Sequence, residues 1–455
     1  MRALSSIAVF TAALAFSQAA AANGRFPRSE RLLEDARDPS HLILGATFGM
    51  LVTDDAGATW HHVCEASFAE AGLQTDPVIA LAPDGAVLAG IYASVARSAA
   101  DACDFKKTLG LNNREAVPDF TLSASVPGHV MATLVKLLED GTSENWLYGS
   151  DDSGQSWTAV GELPTTIRTV ATLEIAPADD LRVYVSGLDP DGAGVLLRSD
   201  DGGKTFEAQA VPTDAANQEM PYIAGVDAAN ADAVYLRTDD WVYVPALQVA
   251  NANDALLYSD DAGAHFTELL RRPGKLFGFT FSPDNSELLV GYGDPVEAGG
   301  GRLTEASALG IYRAPQGSSD FEQRYAGSIG CLTWTQQGLY ACTLEAETGF
   351  SLALTPNTDF ELQAPPDFTP LLRLKDVAGP LDCPAPSSGS ICQSYWQSTC
   401  ESWGRTDCES QIPTAPATAP GCGCRAAGHD ADAKTAWLFA LLLLVISGAR
   451  HKLST

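Results

Sequence analysis

Ser199-Asp200-Asp201-Gly202-Gly203-Lys204-Thr205-Phe206 is one of four strings in this chain that share a single pattern. The others are Thr53-Asp54-Asp55-Ala56-Gly57-Ala58-Thr59-Trp60, Ser150-Asp151-Asp152-Ser153-Gly154-Gln155-Ser156-Trp157 and Ser259-Asp260-Asp261-Ala262-Gly263-Ala264-His265-Phe266. Each runs from Ser or Thr through Asp at the third position and Gly at the fifth to an aromatic at the eighth. The spacing is that of a tight hairpin. A short Ser or Asp side chain bonds to nearby backbone N–H groups and fixes the turn. Glycine accepts the positive φ that a Cβ would penalise. The aromatic opens the return strand and packs under the turn. Asp55, Asp152, Asp201 and Asp261 therefore read as structural, as do Gly57, Gly154, Gly203 and Gly263 and the aromatics Trp60, Trp157, Phe206 and Phe266. Catalytic or calcium-binding carboxylates would not recur in every good copy.

Weaker copies fill the gaps. Ser98 to Phe105 keeps the first Ser and the aromatic. Ala314 to Phe321 and Ala353 to Phe360 keep Asp before Phe, with Asn357 in the Gly place of the last, and Asn also tolerates positive φ. The aromatics then fall at 60, 105, 157, 206, 266, 321 and 360, in steps of 39 to 60 residues. Four-stranded propeller blades repeat at about 40–50 residues. Two short β-rich runs precede each box, such as Arg182-Val183-Tyr184-Val185 and Val195-Leu196-Leu197-Arg198, or Glu287-Leu288-Leu289-Val290 and Gly310-Ile311-Tyr312-Arg313. A further apolar run, such as Gly278-Phe279-Thr280-Phe281, comes before the pair and ends in a turn signal, Ser282-Pro283-Asp284-Asn285. Four strands per unit follow, with the box joining the third to the fourth. The fold class is all-β: a propeller over residues 28–375, with seven blades expected and six or eight left open by the degenerate boxes.

These strings resemble the Asp-box, or BNR repeat, of sialidases, sortilin-type receptor domains, some endoglucanases and propeller-type photosystem assembly factors. The resemblance implies a sortilin- or sialidase-like propeller. It does not carry sialidase activity with it. That activity needs an arginine cluster and usually an early Arg-Ile-Pro, and the nearest string here, Tyr312-Arg313-Ala314-Pro315, enters a box. An Asp-box endoglucanase would set two carboxylates across a groove, and no spacing here selects such a pair. A secreted glycoside hydrolase stays as the alternative to a non-catalytic module that binds protein or glycan.

The net charge is −29, from 57 acidic and 28 basic residues. That argues against a nucleic-acid partner, which needs clustered Lys and Arg. The seven histidines show no metal-ligand spacing, and Asp189-Pro190-Asp191-Gly192 lacks the rest of a calcium loop. No metal and no cofactor is expected.

Residues 1–22 read as a signal peptide: Arg2, an apolar stretch from Ala3 to Phe16, then small residues with a cleavage site after Ala20 or Ala22. An exported chain meets an oxidising compartment, so its ten cysteines read as disulfides. Cys331 and Cys342 fall opposite each other across a hairpin turning near Gln336-Gln337-Gly338. Cys64 and Cys103 are paired with each other by elimination. Cys383, Cys392, Cys400 and Cys408 form a separate cluster with three possible pairings, in a stapled segment over residues 380–410 that also carries Tyr395, Trp396 and Trp403. Residues 411–420 are a Pro-, Ala- and Thr-rich linker.

Residues 421–455 combine Gly421-Cys422-Gly423-Cys424, an apolar run from Ala436 to Ala449 expected as a hydrophobic helix, and a basic end, Arg450-His451-Lys452. The set resembles the myxobacterial C-terminal sorting signal, MYXO-CTERM. By that resemblance the protein is surface-anchored through its tail, with the membrane and a sorting protease as partners. Processing falls near Cys422, with Cys424 beside it. A plain single-span anchor is the other reading of the tail.

In a propeller the box turns sit on one face, and the connections from second to third strand sit on the other. Long loops of that second kind are the usual sites of function. Two are long here and belong to adjacent blades. Residues 238–253 carry Asp239, Asp240, Trp241 and Tyr243, and residues 293–307 carry Asp294, Glu297, Arg302 and Glu305. These eight residues form the candidate ligand patch.

Overall fold

Seven antiparallel sheets follow one another along the chain, over residues 29–64, 78–109, 115–162, 169–211, 220–271, 275–326 and 329–372. The computed structural model describes residues 29–69, 77–90, 94–110, 114–139, 142–239, 253–294, 304–356 and 367–408. Each sheet runs its four strands in sequence order, which makes it one blade of a seven-bladed propeller. Blade 3 adds a short extra strand, Glu115–Ala116, beside its second strand, and blade 1 adds a fifth, Gly379–Pro380.

The core is divided in the same way. Seven apolar clusters lie one at each junction between neighbouring blades. Strand alternation explains this: successive side chains point to opposite faces, so each blade presents one apolar face to each neighbour. Hydrogen bonds join innermost strands across the junctions. The Leu173 N–H donates to Asp119 Oδ2 at 2.9 Å, Ile223 N–H to Thr172 Oγ1 at 2.8 Å, and Trp334 N–H to Thr280 Oγ1 at 3.1 Å. The innermost strands of blades 1, 4, 5, 6 and 7 each carry a register shift, which bends the inner edge.

The four repeated hairpins have one geometry. In blade 4 the Ser199 hydroxyl donates to Asp201 Oδ1 at 2.8 Å and accepts from the Gly203 N–H at 2.8 Å, while the Thr205 N–H reaches Asp201 Oδ1 at 2.9 Å. Thr53, Ser150 and Ser259 repeat the first two bonds with Asp55 and Gly57, Asp152 and Gly154, and Asp261 and Gly263. The glycines take φ of +78° to +93°. Each hairpin also leans on the preceding blade. A Cβ on Gly203 would stand 2.2 Å from Leu147 Cδ2 of blade 3, and one on Gly154 2.5 Å from Leu88 Cδ2 of blade 2. Trp157 Nε1 donates to Thr108 Oγ1 of blade 2 at 3.1 Å, and Trp60 Nε1 to the Leu371 carbonyl of blade 7 at 3.2 Å. Phe105 and Phe321, from degenerate copies, enter the corresponding junctions of blades 2 and 6. Phe360 lies outside the described residues.

The disulfides correct one expectation. Cys331 and Cys342 are bonded, on directly paired positions of adjacent strands. Cys64 and Cys103 do not pair with each other. Cys64 is bonded to Cys392 and Cys103 to Cys383, across 328 and 280 residues of sequence. The four C-terminal cysteines are thus not a closed set; only Cys400 and Cys408 pair within it. The cause is the ring itself, which brings the end of blade 7 back to blade 1. The returning chain runs parallel to the outermost strand of blade 1, His61–Cys64, and then docks on the degenerate hairpin of blade 2. There Gly389 N–H donates to the Cys103 carbonyl at 2.7 Å, and Phe105 N–H to Ser388 Oγ at 2.7 Å.

A helix, Cys392–Ser402, covers the seam between blades 7 and 1. Trp396 and Trp403 meet the fully buried His62 at ring distances of 6.1 and 5.7 Å. Burial pulls the His62 imidazole down to about 4, against a bond to the Phe48 carbonyl. Among the described residues no helix is long and apolar enough to cross a membrane. The linker and tail, with Cys422 and Cys424, lie outside the described residues.

Two outcomes are expected in denaturant titrations. Gly203→Ala should lose about 1–3 kcal/mol, because its φ and the Leu147 contact both resist a Cβ. Cys103→Ser should cost about 2–5 kcal/mol, because it removes a cross-link that closes a very long loop. A loss below experimental error in either variant would contradict the geometry described.

Candidate functional site

The two long connections rise from neighbouring corners of blades 5 and 6. The second strand of blade 5, Val234–Asp239, ends on Asp239, and its third strand, Ala255–Ser259, begins directly after Asp254. Blade 6 opens with Lys275, whose strand partner Gly293 immediately precedes Asp294. The bases of both loops therefore meet at one place.

That place is a buried charge cluster. The Lys275 ammonium, 8 % exposed, donates to Asp239 Oδ1 and lies 3.5 Å from Asp254 Oδ1. Asp254 is fully buried. Its Oδ2 accepts the Leu276 N–H at 2.9 Å, and Tyr292 Oη donates to its carbonyl at 3.0 Å. Arg237 lies 3.9 Å from Asp239 Oδ2 and 4.4 Å over the Tyr222 ring. Burial pushes the Asp254 carboxyl well up, and the negative charge of Asp239 adds to it, against the pull of Lys275. Nearby, Arg271 bonds the buried Glu219 at 3.1 Å and the Asn253 carbonyl at 3.1 Å.

Of the eight residues expected in the patch, three are described. Asp239 belongs to this cluster. Asp294 is buried and holds its own loop: its N–H donates to Ser328 Oγ at 2.9 Å, and its Oδ2 accepts the Thr304 N–H at 3.3 Å. Glu305 is exposed and precedes a short turn of 3-10 helix, Ala306–Ala308. Asp240, Trp241, Tyr243, Glu297 and Arg302 lie outside the described residues. Sequence reasoning missed Lys275, Asp254, Arg237 and Tyr222. For Lys275 and Asp254 the available signal was a charged residue at the start of, or just before, an otherwise apolar strand, and Arg237 and Tyr222 carried none.

A second set of charges lies on the innermost strands of blades 1 and 4 and directly before that of blade 3, Phe120–Leu122. Burial raises Asp119 to about 6, opposed by the bond from Leu173 and by Arg31. Burial and then the charge of Asp119 raise Glu174 to about 7, opposed by Arg31 and by the Thr121 hydroxyl, whose bond measures 3.3 Å. Both side chains remain partly accessible, yet protein surrounds them along the ring's inner edge.

A third feature is a cleft of about 660 Å³ on the hairpin face between blades 1 and 2. Asp35, Asp38, Asp54, Asp101 and Asp382 line it with Arg37 and His41. Asp35 pairs with Arg37, and His41 Nδ1 lies 2.5 Å from Asp54.

No protein-family model matches the chain, and no curated protein matches it. Solved structures are similar to it. An ancestral GH74 enzyme shares 10% identity over 74% of this chain and 48% of its own, with a TM-score of 0.49. The extracellular domain of a putative one-component system from B. thetaiotaomicron shares 12% over 72% and 38%, at 0.45. The β-propeller domain of Cps50 (Swd1) from Myceliophteria thermophila shares 10% over 70% and 94%, at 0.42. The chain thus spans about half or less of the first two. The propeller assignment rests on the seven sheets themselves.

The raised carboxyls set a pH dependence. Their folded-state values lie above their unfolded ones, so the native state binds more protons between about pH 4 and 7. Their contribution is complete below the unfolded values and is lost as pH rises through about 6 to 7. His62, depressed from 6.5 to about 4, works in the opposite sense between those two values, over most of that range. Glu174→Gln isolates the carboxyl effect. Between pH 5 and 8 the wild type should lose more stability than this variant in urea titrations at each pH; parallel profiles would contradict the assignment.

Proposed function

We propose that this chain is an exported Asp-box propeller, held at the cell surface through its C-terminal tail. It binds a protein or glycan on the face opposite the Asp-box turns and does not catalyse. The observation that carries this reading is how the described carboxylates at the two loop bases and along the ring's inner edge are used, Glu305 alone being exposed. Asp239 and Asp254 are engaged by Lys275, and Asp254 and Asp294 accept backbone N–H groups that fix the two longest connections. Asp119 and Glu174 are likewise tied to neighbouring blades. Groups spent in this way build a rigid platform for loops, whereas a hydrolase needs two carboxyls free to meet a glycosidic bond. Between the fixed bases the sequence supplies Asp240, Trp241, Tyr243, Glu297 and Arg302, a mixture of aromatic and charged groups suited to recognition. The Gly-Cys motif at Cys422, the apolar run and the basic end support surface placement through a sorting protease and the membrane.

The test is a glycan array run beside a polysaccharide hydrolysis screen, on the mature protein and on a variant with residues 240–252 replaced by a Gly-Ser linker. Retention of a glycan class without turnover, lost in the replaced variant, is the expected result. Turnover of any polysaccharide would overturn the non-catalytic reading in favour of a glycoside hydrolase.

A further inference from the structure

We propose that Lys275 and Asp239 condense to an intramolecular amide that ties blade 5 to blade 6, with Asp254 as the proton carrier. A lysine and two aspartates, of which Asp254 is fully enclosed, stand at the junction of two blades. Taking such charges out of water is expensive, and pairing repays it only in part. Condensation removes the charges of Lys275 and Asp239 and leaves a neutral amide, with Asp254 then facing only the charge of Arg237.

The geometry supplies each part of the reaction. Lys275 Nζ already contacts the carboxylate of Asp239, so the nucleophile and the carbon it must reach belong to touching groups. The strand ends hold both side chains by backbone pairing, Asp239 with Met220 and Lys275 with Gly293. That positioning makes the encounter intramolecular. Asp254 stands within 3.5 Å of the same ammonium, and its enclosed carboxyl has a raised affinity for a proton. Arg237 lies 3.9 Å from the other oxygen of Asp239, where its charge can stabilise an oxyanion.

The step balances without a co-reactant. Asp254 takes a proton from the Lys275 ammonium, and the free amine attacks Asp239 Cγ. The tetrahedral oxyanion faces Arg237. Asp254 returns its proton to a departing oxygen. The Nζ–Cγ bond forms and a Cγ–O bond breaks. The second Nζ proton leaves with that oxygen, so one water is released and Asp254 is restored. Nothing is oxidised or reduced. The linked atoms lie at the base of the connection over residues 240–252, so the amide would fix that loop's origin across two blades.

Intact mass decides the matter. The full protein is isolated from its native host, its termini are mapped, and it is reduced, denatured and weighed beside Lys275→Arg and Asp254→Ala. The wild type should be lighter than its sequence by one water, with fragmentation placing the link between Asp239 and Lys275, and both variants should show full mass. A wild type at full mass overturns the proposal even if neither variant folds. A Lys275→Arg protein that is also one water light overturns the assigned link, and a light Asp254→Ala protein overturns the assigned proton carrier.

Discussion

A propeller blade has two apolar faces, and each must be covered by a neighbour. Among the described residues no blade contains a core of its own; the apolar clusters lie between blades, one at every junction. The ring is therefore stable only when it closes, and the rest of the structure depends on the seam between blades 7 and 1. The four main strands of blade 1 all come from the early chain, so neither blade 7 nor blade 1 lends the other one of its four. Closure comes instead from outside. The chain after blade 7 lays Gly379–Pro380 along blade 1, caps the seam with Trp396 and Trp403, and is bonded to Cys64 and Cys103.

The same constraint changes the meaning of the repeated hairpins. Seen alone, each is a turn held by a hydroxyl, a carboxylate and a glycine. In the ring, its glycine rests against the preceding blade and its aromatic fills the junction. The hairpin is thus a fastener between blades as well as a turn. The copy in blade 2 has lost its Asp and Gly, and the C-terminal segment docks on it through Ser388 and Gly389. The hairpin aspartates are held low by their own bonds. The Thr205 hydroxyl and N–H bring Asp201 to about 2, and the His265 ring and N–H bring Asp261 to about 2. They stay charged turn-formers across the physiological range.

What could be read from the sequence was local in origin. The box spacing gave the strands and their order, because period and turn chemistry repeat within each unit, and it favoured seven blades while the degenerate copies left six or eight open. Cys331 and Cys342 could be paired because a hairpin fixes their register. Cys64 and Cys103 could not, since their partners lie 328 and 280 residues away and become neighbours only through closure. The candidate patch shows the same division. Two long loops were visible in the sequence, and their bases do adjoin. Asp239 and Asp294 were expected to face a ligand, but they hold the loop ends, a role set by Lys275 and Ser328 on other strands. Lys275 and Asp254 carry no sequence motif; their chemistry comes from enclosure between two blades.

The claim that the C-terminal strap closes the ring is tested most directly by hydrogen exchange read by mass spectrometry, on the oxidised protein and after reduction of its disulfides. Closure by the strap predicts that reduction first removes amide protection from His61–Cys64 and from the outermost strand of blade 7, Thr369–Leu372, while blades 4 and 5 keep theirs. Equal loss of protection in all seven blades, or none at the seam, would contradict it.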